Sequence, residues 1–239
     1  LIGVANYPED GTNMHALLTS ADVALNHIKN SGRARYQLHT PELTQTLKEK
    51  ISIEIALETA AQKEEFQLLY QPVVDIVSGG ICGFEALIRW RHPTMGLISP
   101  DKFIPIAEQS NSIVAIGRWV LHRACHDIRS GLDEGISMPP VAINLSAKQF
   151  TKASLVDDLT LTLAEYQLGP SNLSIEITEG VLMDNPIASK ITLDKLRDLG
   201  FSLALDDFGT GYSSLAREGE LMVDYLKIDT DGHELYVLR

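Results

Sequence analysis

The sequence predicts an α/β fold built on a mostly parallel sheet, and three observations predict it. From Phe66 onward, short apolar runs of strand length alternate with longer stretches of helical periodicity, the pattern of repeated βα units. The link Ser78-Gly79-Gly80 between the first two runs is too short for a helical crossover, so those two strands are predicted to pair antiparallel. Acidic and amide residues stand toward the C-terminal ends of the runs, where the loops of a parallel sheet converge.

Taken in order, residues 1–38 read as an edge strand (Leu1 to Tyr7), a turn at Pro8-Glu9-Asp10-Gly11 and a helix from about Asn13 to Ser31. Gly32 follows as its C-terminal stop, and Tyr36-Gln37-Leu38 reads as a short strand. One helix and two short strands enclose too little apolar surface to fold alone. Pro41 to Lys63 reads as an amphipathic helix with Leu43, Leu47, Ile51, Ile55 and Leu57 on its apolar side, either a linker that docks on the domain after it or an ordinary core helix of that domain. The domain organisation expected is therefore 1–40, a linker helix 41–63, and a main domain 64–239. Within that domain strands are predicted at Phe66 to Val74, Ile81 to Trp90, Val141 to Leu145, Leu173 to Ile177, Ser202 to Asp206 and Tyr225 to Asp229. Helices are predicted near Asp101 to Gln109, Ile113 to Arg129, Ala147 to Tyr166 and Ile187 to Asp198, with a short one after Tyr212.

Composition narrows the function classes. The 239 residues carry 20 Lys and Arg against 32 Asp and Glu, a net charge of −12. This argues against a DNA or RNA groove, which takes its strength from clustered basic residues. No apolar run approaches membrane-spanning length, so no membrane contact is expected from this segment, and a cytoplasmic location is the expectation. Cys82 and Cys125 sit in no zinc or disulfide pattern and read as packing residues in a reducing compartment. His122 and His126 lie four apart on one helical face without an acid partner at zinc-protease spacing, and they are not assigned to a metal. Trp90 and Trp119 read as core or interface anchors. The start without Met, inside an apolar run, is expected of a piece of a longer protein.

The chemistry gathers on the strands. Glu85 lies in Phe84-Glu85-Ala86-Leu87-Ile88-Arg89-Trp90, Asn144 in Ala142-Ile143-Asn144-Leu145-Ser146, and Glu176 with Glu179 in Ile175-Glu176-Ile177-Thr178-Glu179. Asp206-Asp207 opens Asp206-Asp207-Phe208-Gly209-Thr210-Gly211-Tyr212, and Lys227-Ile228-Asp229 ends the last run. A carboxylate inside an apolar strand is costly unless its charge is compensated. Separate salt bridges could compensate any one of them. For a converging set, a divalent cation is the simplest counter-charge, and oxygen ligands suit Mg²⁺ or Mn²⁺. An adjacent pair such as Asp206-Asp207 can bridge two ions.

These motifs resemble the EAL family of cyclic di-GMP phosphodiesterases. The resemblance rests on Tyr70-Gln71-Pro72-Val73-Val74-Asp75, on Glu85-x-Leu87-x-Arg89, and on Phe103-Ile104-Pro105-Ile106-Ala107-Glu108. It continues through Asn144-Leu145-Ser146, Glu176-Ile177-Thr178-Glu179, Asp206 to Gly211 and Lys227-Ile228-Asp229. Residues 1 to about 38 likewise resemble the C-terminal end of a GGDEF (diguanylate cyclase) domain, through Ile2-Gly3-Val4-Ala5, Tyr7 to Gly11, Ala21 to Leu25 and Lys29 to Arg35. The segment with that family's catalytic acids is absent, so no cyclase activity is expected.

The resemblance implies a TIM-like (β/α)8 barrel with an antiparallel first strand. Such a barrel typically needs roughly 250 residues, so the chain is expected to lack the last two βα units. The strands at Phe66 and at Tyr225 are then expected to have unpaired edges, which a second copy could close. The resemblance also implies hydrolysis of one phosphodiester bond of cyclic di-GMP to the linear dinucleotide. Glu85, Asn144, Glu176 and Asp206 would hold one Mg²⁺ or Mn²⁺, and Asp206 with Asp207 a second. Glu85 and Lys227 would act in catalysis, Lys227 by orienting the attacking water, while Glu179 would fix the loop after the Ser202–Asp206 strand. That loop resembles the family's dimerisation element. Gln71, Leu87 and Arg89 would contact the ligand, Arg89 at a phosphate. Gln71 has a second reading as a buried amide satisfying backbone groups, and Asp229 as either a site residue or a strand cap. The alternative function is a non-catalytic cyclic di-GMP receptor or regulatory interaction module. A barrel enzyme acting on an enolisable acid would account for the carboxylates but not for the ordered blocks.

Overall fold

A computed structural model describes residues 1–31, 35–184, 186–206, 225–230 and 233–238, of which 30–31, 179, 183–184, 225–230 and 233–238 are described by their backbone alone. The chain divides into two compact units, Leu1–Thr59 and Ala60–Arg239.

In the first unit β1 (Ile2–Val4) and β2 (Tyr36–Leu38) pair in parallel, Gly3 opposite Gln37. Between them in sequence runs α1 (Met14–Ser31), capped by Asn13, whose Oδ1 accepts the Ala16 N–H at 2.9 Å. Gly3 is required by packing, since a Cβ there would sit 2.0 Å from the Ala21 carbonyl oxygen of α1. Asp10 ties the turn together. Its carboxylate accepts the Asn6 N–H at 2.7 Å and meets His39 Nδ1 at 2.7 Å, while His39 Nε2 meets Thr44 Oγ1 at 2.7 Å. The Asn6 bond first, then His39, hold the Asp10 carboxyl below the usual carboxylate range.

Helix α2 (Pro41–Ala60) begins with Pro at its first position, where a missing N–H is harmless. Its buried positions are Ile53, Leu57 and Ala60, at spacings of four and three, whereas Ile51 and Ile55 are exposed. The apolar stripe expected along Leu47, Ile51 and Ile55 is therefore not the buried one.

The second unit is an eight-stranded sheet with helices. It opens with β3 (Phe66–Val74) and β4 (Ile81–His92), an antiparallel hairpin as expected, which β5 (Gly96–Ile98) extends at the far end of β4. The helices α3 (Pro100–Ser110) and α4 (Ile113–Asp133) precede β6 (Val141–Leu145). Two helices, α5 (Ala147–Phe150) and α6 (Leu155–Glu165), follow where one from Ala147 to Tyr166 was expected. The break has a geometric cause. Phe150 and Leu155 are both buried, yet five residues apart on a continuous helix they would point about 140° from each other. Then come β7 (Leu173–Thr178), α7 (Glu179–Asp184), α8 (Pro186–Asp198), β8 (Ser202–Asp206), β9 (Tyr225–Thr230) and β10 (His233–Leu238). The helix expected after Tyr212 lies outside the described residues.

The strand order is β10-β9-β8-β7-β6-β4-β3, with β4, β6, β7, β8 and β9 mutually parallel. The outer edge of β9 is not unpaired as expected: β10 lies against it antiparallel, Lys227 opposite Tyr236 and Asp229 opposite Glu234. That strand was missed because His233-Glu234-Leu235 reads as polar.

The sheet has two chemically distinct faces, as period-two alternation requires. Ile143, Leu145, Ile175, Ile177, Leu203 and Leu205 are buried and apolar. The alternating positions carry Ala142, Asn144, Ser174, Glu176, Ser202, Ala204 and Asp206, which the register sets side by side across three strands. At the hairpin the aromatic rings of Phe66, Trp90, Phe103 and Trp119 pack at centroid distances of 5.5 to 6.0 Å, locking α3 and α4 onto β3 and β4. Trp90 is fully buried and its Nε1 donates to Glu65 Oε2 at 2.9 Å. Among the described residues no helix is long and apolar enough to cross a membrane.

Candidate functional site

The polar positions of the sheet converge on one face. Trp90 is buried among aromatic rings, so strand alternation assigns Glu85, Leu87 and Arg89 to the opposite face of β4. Their partners on β3 are Gln71, Leu69 and Gln67. On the other side Glu85 is in register with Ala142, two residues before Asn144. The Asn144 amide reaches back across the strand pair, and its Nδ2 donates to Glu85 Oε1 at 2.9 Å. Glu176 sits directly opposite Asn144 on the next strand, and Asp206, last residue of β8, lies opposite Thr178.

Glu85 and Glu176 are each 2 % exposed. They lie on β4 and β7, on either side of Asn144 of β6, and carboxylates buried so close together favour positive charge beside them. Asp206 is half-buried and Asn144 exposed, so the set opens toward solvent at the C-terminal ends of β6 and β8. All available donors are carboxylate or amide oxygens, the chemistry of a hard divalent cation. Among the described residues no three His, Cys, Asp or Glu side chains form a metal cluster by themselves. A cation here would therefore draw on the Asn144 amide and on donors beyond the described carboxylates.

Of the remaining expected site residues, Leu87 and Arg89 are half-buried, and Arg89 Nη1 donates to the Ile88 carbonyl at 2.9 Å. Gln71 is exposed opposite Glu85, which removes its reading as a buried amide. Ala204 is in register with Tyr225, and alternation from there assigns Lys227 and Asp229 to positions on the same face of the sheet. Glu179 is the first residue of α7, immediately after β7. Asp207, Gly209 and Gly211 lie outside the described residues.

A cavity of about 440 Å³ opens on the same face but at the other end of the strands, lined by Val73, Ile76, Pro140, Ser174 and Ser202, with Gln71 and Glu176 in its wall. It underlies the carboxylates rather than forming their mouth. The histidines of α4 pack on a tyrosine, the ring centroids of His122 and His126 lying 5.9 and 6.4 Å from that of Tyr166 in edge-on geometry. Cys125 is buried as expected, but Cys82 is exposed, because the hairpin edge near the Ser78–Gly80 turn leaves it uncovered.

One polar group was missed in the sequence. Gln149, 8 % exposed, accepts the backbone N–H and the hydroxyl of Ser146 on its Oε1, at 3.3 and 2.9 Å. The Ser146-x-x-Gln149 spacing is that of a capping box and could have revealed it.

A family model described as EAL domain matches residues 54–231. The chain belongs to the EAL domain family. Across 95% of its length this EAL chain is 42% identical to the bifunctional diguanylate cyclase/cyclic di-GMP phosphodiesterase MucR of Pseudomonas aeruginosa. It is 41% identical, again over 95% of its length, to the cyclic di-GMP phosphodiesterase NbdA of the same organism. It spans about a third of either relative, 33% and 29% of their lengths. Among solved structures, the PaMucR phosphodiesterase in complex with c-di-GMP superposes with a TM-score of 0.71 at 43% identity, covering 74% of this chain and 72% of that one.

Proposed function

We propose that this EAL chain hydrolyses cyclic di-GMP to the linear dinucleotide in a reaction that depends on Mg²⁺ or Mn²⁺. The observation that carries the reading is the buried Glu85, bonded to an Asn144 that stands opposite the buried Glu176, in a fold matched by a cyclic di-GMP complex. In the reaction a water oxygen bonds to phosphorus, one P–O ester bond breaks, and the leaving 3′ oxygen takes a proton. A divalent cation supplies Lewis-acid stabilisation of the phosphodiester and activation of water. Glu85, Asn144, Glu176 and Asp206 would hold one ion, and Asp206 with Asp207 a second. Lys227 orients the water and opposes charge developing on phosphorus. Arg89 takes a phosphate as a fixed two-pronged donor, while Gln71, Leu87 and Asp229 contact the nucleotides and Glu179 holds the loop after β8.

We read residues 1–40 as the C-terminal end of a GGDEF domain and 41–63 as the linker, and we place the protein in the cytoplasm, with pairing of two copies through the loop after β8. The test is incubation of the full chain with cyclic di-GMP and Mg²⁺ or Mn²⁺, followed by separation of the nucleotides. Linear dinucleotide that disappears with chelator and with Glu85→Gln supports the reading. Binding without cleavage selects a receptor instead, and absence of both overturns it.

A further inference from the structure

The groove between α4 and α6 ends at a close contact that leads back to the candidate site. On α4, Gly117 lies against the Gln149 side chain so tightly that a Cβ would meet Nε2 at 1.7 Å and Cδ at 2.5 Å. The same Gln149 amide holds the N-terminus of α5, its Oε1 accepting both Ser146 donors, while its own backbone N–H donates to the Ser146 carbonyl at 3.0 Å. Ser146 is two residues beyond Asn144, so the cap fixes where β6 ends and how its last residues sit. Ile143 and Leu145 are buried on either side of Asn144, which leaves the strand end little freedom except through this cap.

We propose that Gln149, seated by Gly117, is a positioning residue that holds the end of β6 so that the Asn144 amide meets Glu85 and the cation. The inference rests on the cation reading given above. Neither Gln149 nor Gly117 touches the cation or substrate, and both act through Ser146 and the strand. A glycine is needed at 117 because any side chain there displaces the Gln149 amide, and a glutamine at 149 because its amide must reach past the first turn of α5 to the Ser146 N–H. Glutamate has the same reach and the same acceptor, so Gln149→Glu preserves the cap.

The test is a set of variants of the full chain, G117A, Q149A, Q149E and the double variant G117A/Q149A, each read in four ways. Folding is followed by circular dichroism melts, Mn²⁺ affinity by isothermal titration, and cyclic di-GMP affinity in Ca²⁺ and turnover in Mn²⁺ separately. Q149A is expected to weaken Mn²⁺ about tenfold, the lower end of what groups behind a metal ligand contribute, and to lower kcat more than it raises KM. G117A is expected to do the same, because it evicts the same amide, and Q149E to recover most of the loss. The double variant is expected to be no worse than Q149A, since a truncated residue 149 leaves room for the methyl group that G117A introduces. Wild-type Mn²⁺ affinity in folded Q149A and G117A overturns the proposal, as do additive effects in the double variant. A wild-type chain that binds no Mn²⁺ overturns the cation reading itself, and a chain that binds Mn²⁺ but not cyclic di-GMP overturns only the substrate.

Discussion

Asn144 donates its side-chain N–H to Glu85 Oε1 at 2.9 Å, joining residues fifty-nine apart in sequence across two parallel strands. The bond orients a buried carboxylate and leaves the Asn144 carbonyl oxygen to serve as a neutral donor beside it. Glu85→Gln keeps the shape but removes the charge, and it turns a pure acceptor into a group with donors of its own. It is expected to lower turnover of cyclic di-GMP by at least a factor of about a hundred, the scale of losing one preorganised electrostatic partner. Asn144→Ala is expected to cost less, because Glu85 and Glu176 remain. Steady-state kinetics on the two variants checks the order.

The aromatic cluster carries the attachment of the helix layer. Trp90 is fully buried between Phe66 and Phe103, and its ring nitrogen is bonded to Glu65. Truncation leaves a large cavity and an unpaired Glu65. Trp90→Ala is expected to destabilise the second unit by about 3–5 kcal/mol. Urea unfolding followed by circular dichroism measures it, and a loss below about 1 kcal/mol would contradict this account of the layer.

Asp127 on α4 accepts from Tyr70 Oη at 2.8 Å and from Arg123 Nε at 3.0 Å, and meets His126 Nδ1 at 3.1 Å. Partial burial pushes its carboxyl up, but the bonds from His126, Tyr70 and Arg123 outweigh this and hold it below the usual range. A lowered carboxylate value contributes stability that is present above about pH 4, its unfolded value, and is lost as pH falls through the folded one. Asp127→Asn is expected to cost about 2 kcal/mol at pH 7, the scale of hydrogen bonds to a charged group. The gap between wild type and variant narrows below about pH 4. Thermal melts across pH 3 to 7 test the sign.

A residue is legible in the sequence to the degree that it contrasts with its neighbours. Glu85 and Glu176 stood out because a carboxylate inside an apolar run has no bland explanation once several do it in register. The Ile81 to Trp90 strand was legible by its length and its glycine turn. The strand β5 is only three residues long and β10 mixes His and Glu with apolar residues, so neither produces a period. Ile51 and Ile55 misled because helix α2 offers apolar residues on more than one side, and only packing selects Ile53 and Leu57. Gln149 was passed over for a related reason: a polar residue in a helix reads as solvent-facing, and its burial depends on Gly117 thirty-two positions earlier.

The two cysteines provide a test of local structure. Burial pushes the Cys125 thiol up to about 12, with Glu165 adding to it, so the reactive thiolate is nearly absent at pH 8 and the sulfur is inaccessible. Cys82 is exposed on β4 with its sulfur 3.5 Å from the Val73 carbonyl. A thiol reagent at pH 8 is expected to titrate one cysteine rapidly in the native chain and two in denaturant. Two rapid thiols in the native state would mean that the face of α4 that carries Cys125 is not packed against the rest of the second unit.

A cation that binds only the folded site must also stabilise it. For a divalent ion at a hundred times its dissociation constant, linkage gives about 2.7 kcal/mol. Adding Mn²⁺ or Mg²⁺ to the chelator-treated chain is therefore expected to raise the melting temperature of the second unit. Glu85→Gln is expected to lose most of that rise. The apo forms give the second half of the test, because like charges buried on β4 and β7, on either side of Asn144, raise each other's cost. In the absence of metal Glu85→Gln is expected to be no less stable than wild type. A variant much weaker than wild type without metal would assign Glu85 to holding the fold through Asn144 instead. Equal metal-induced shifts in both would place the ion elsewhere in the chain.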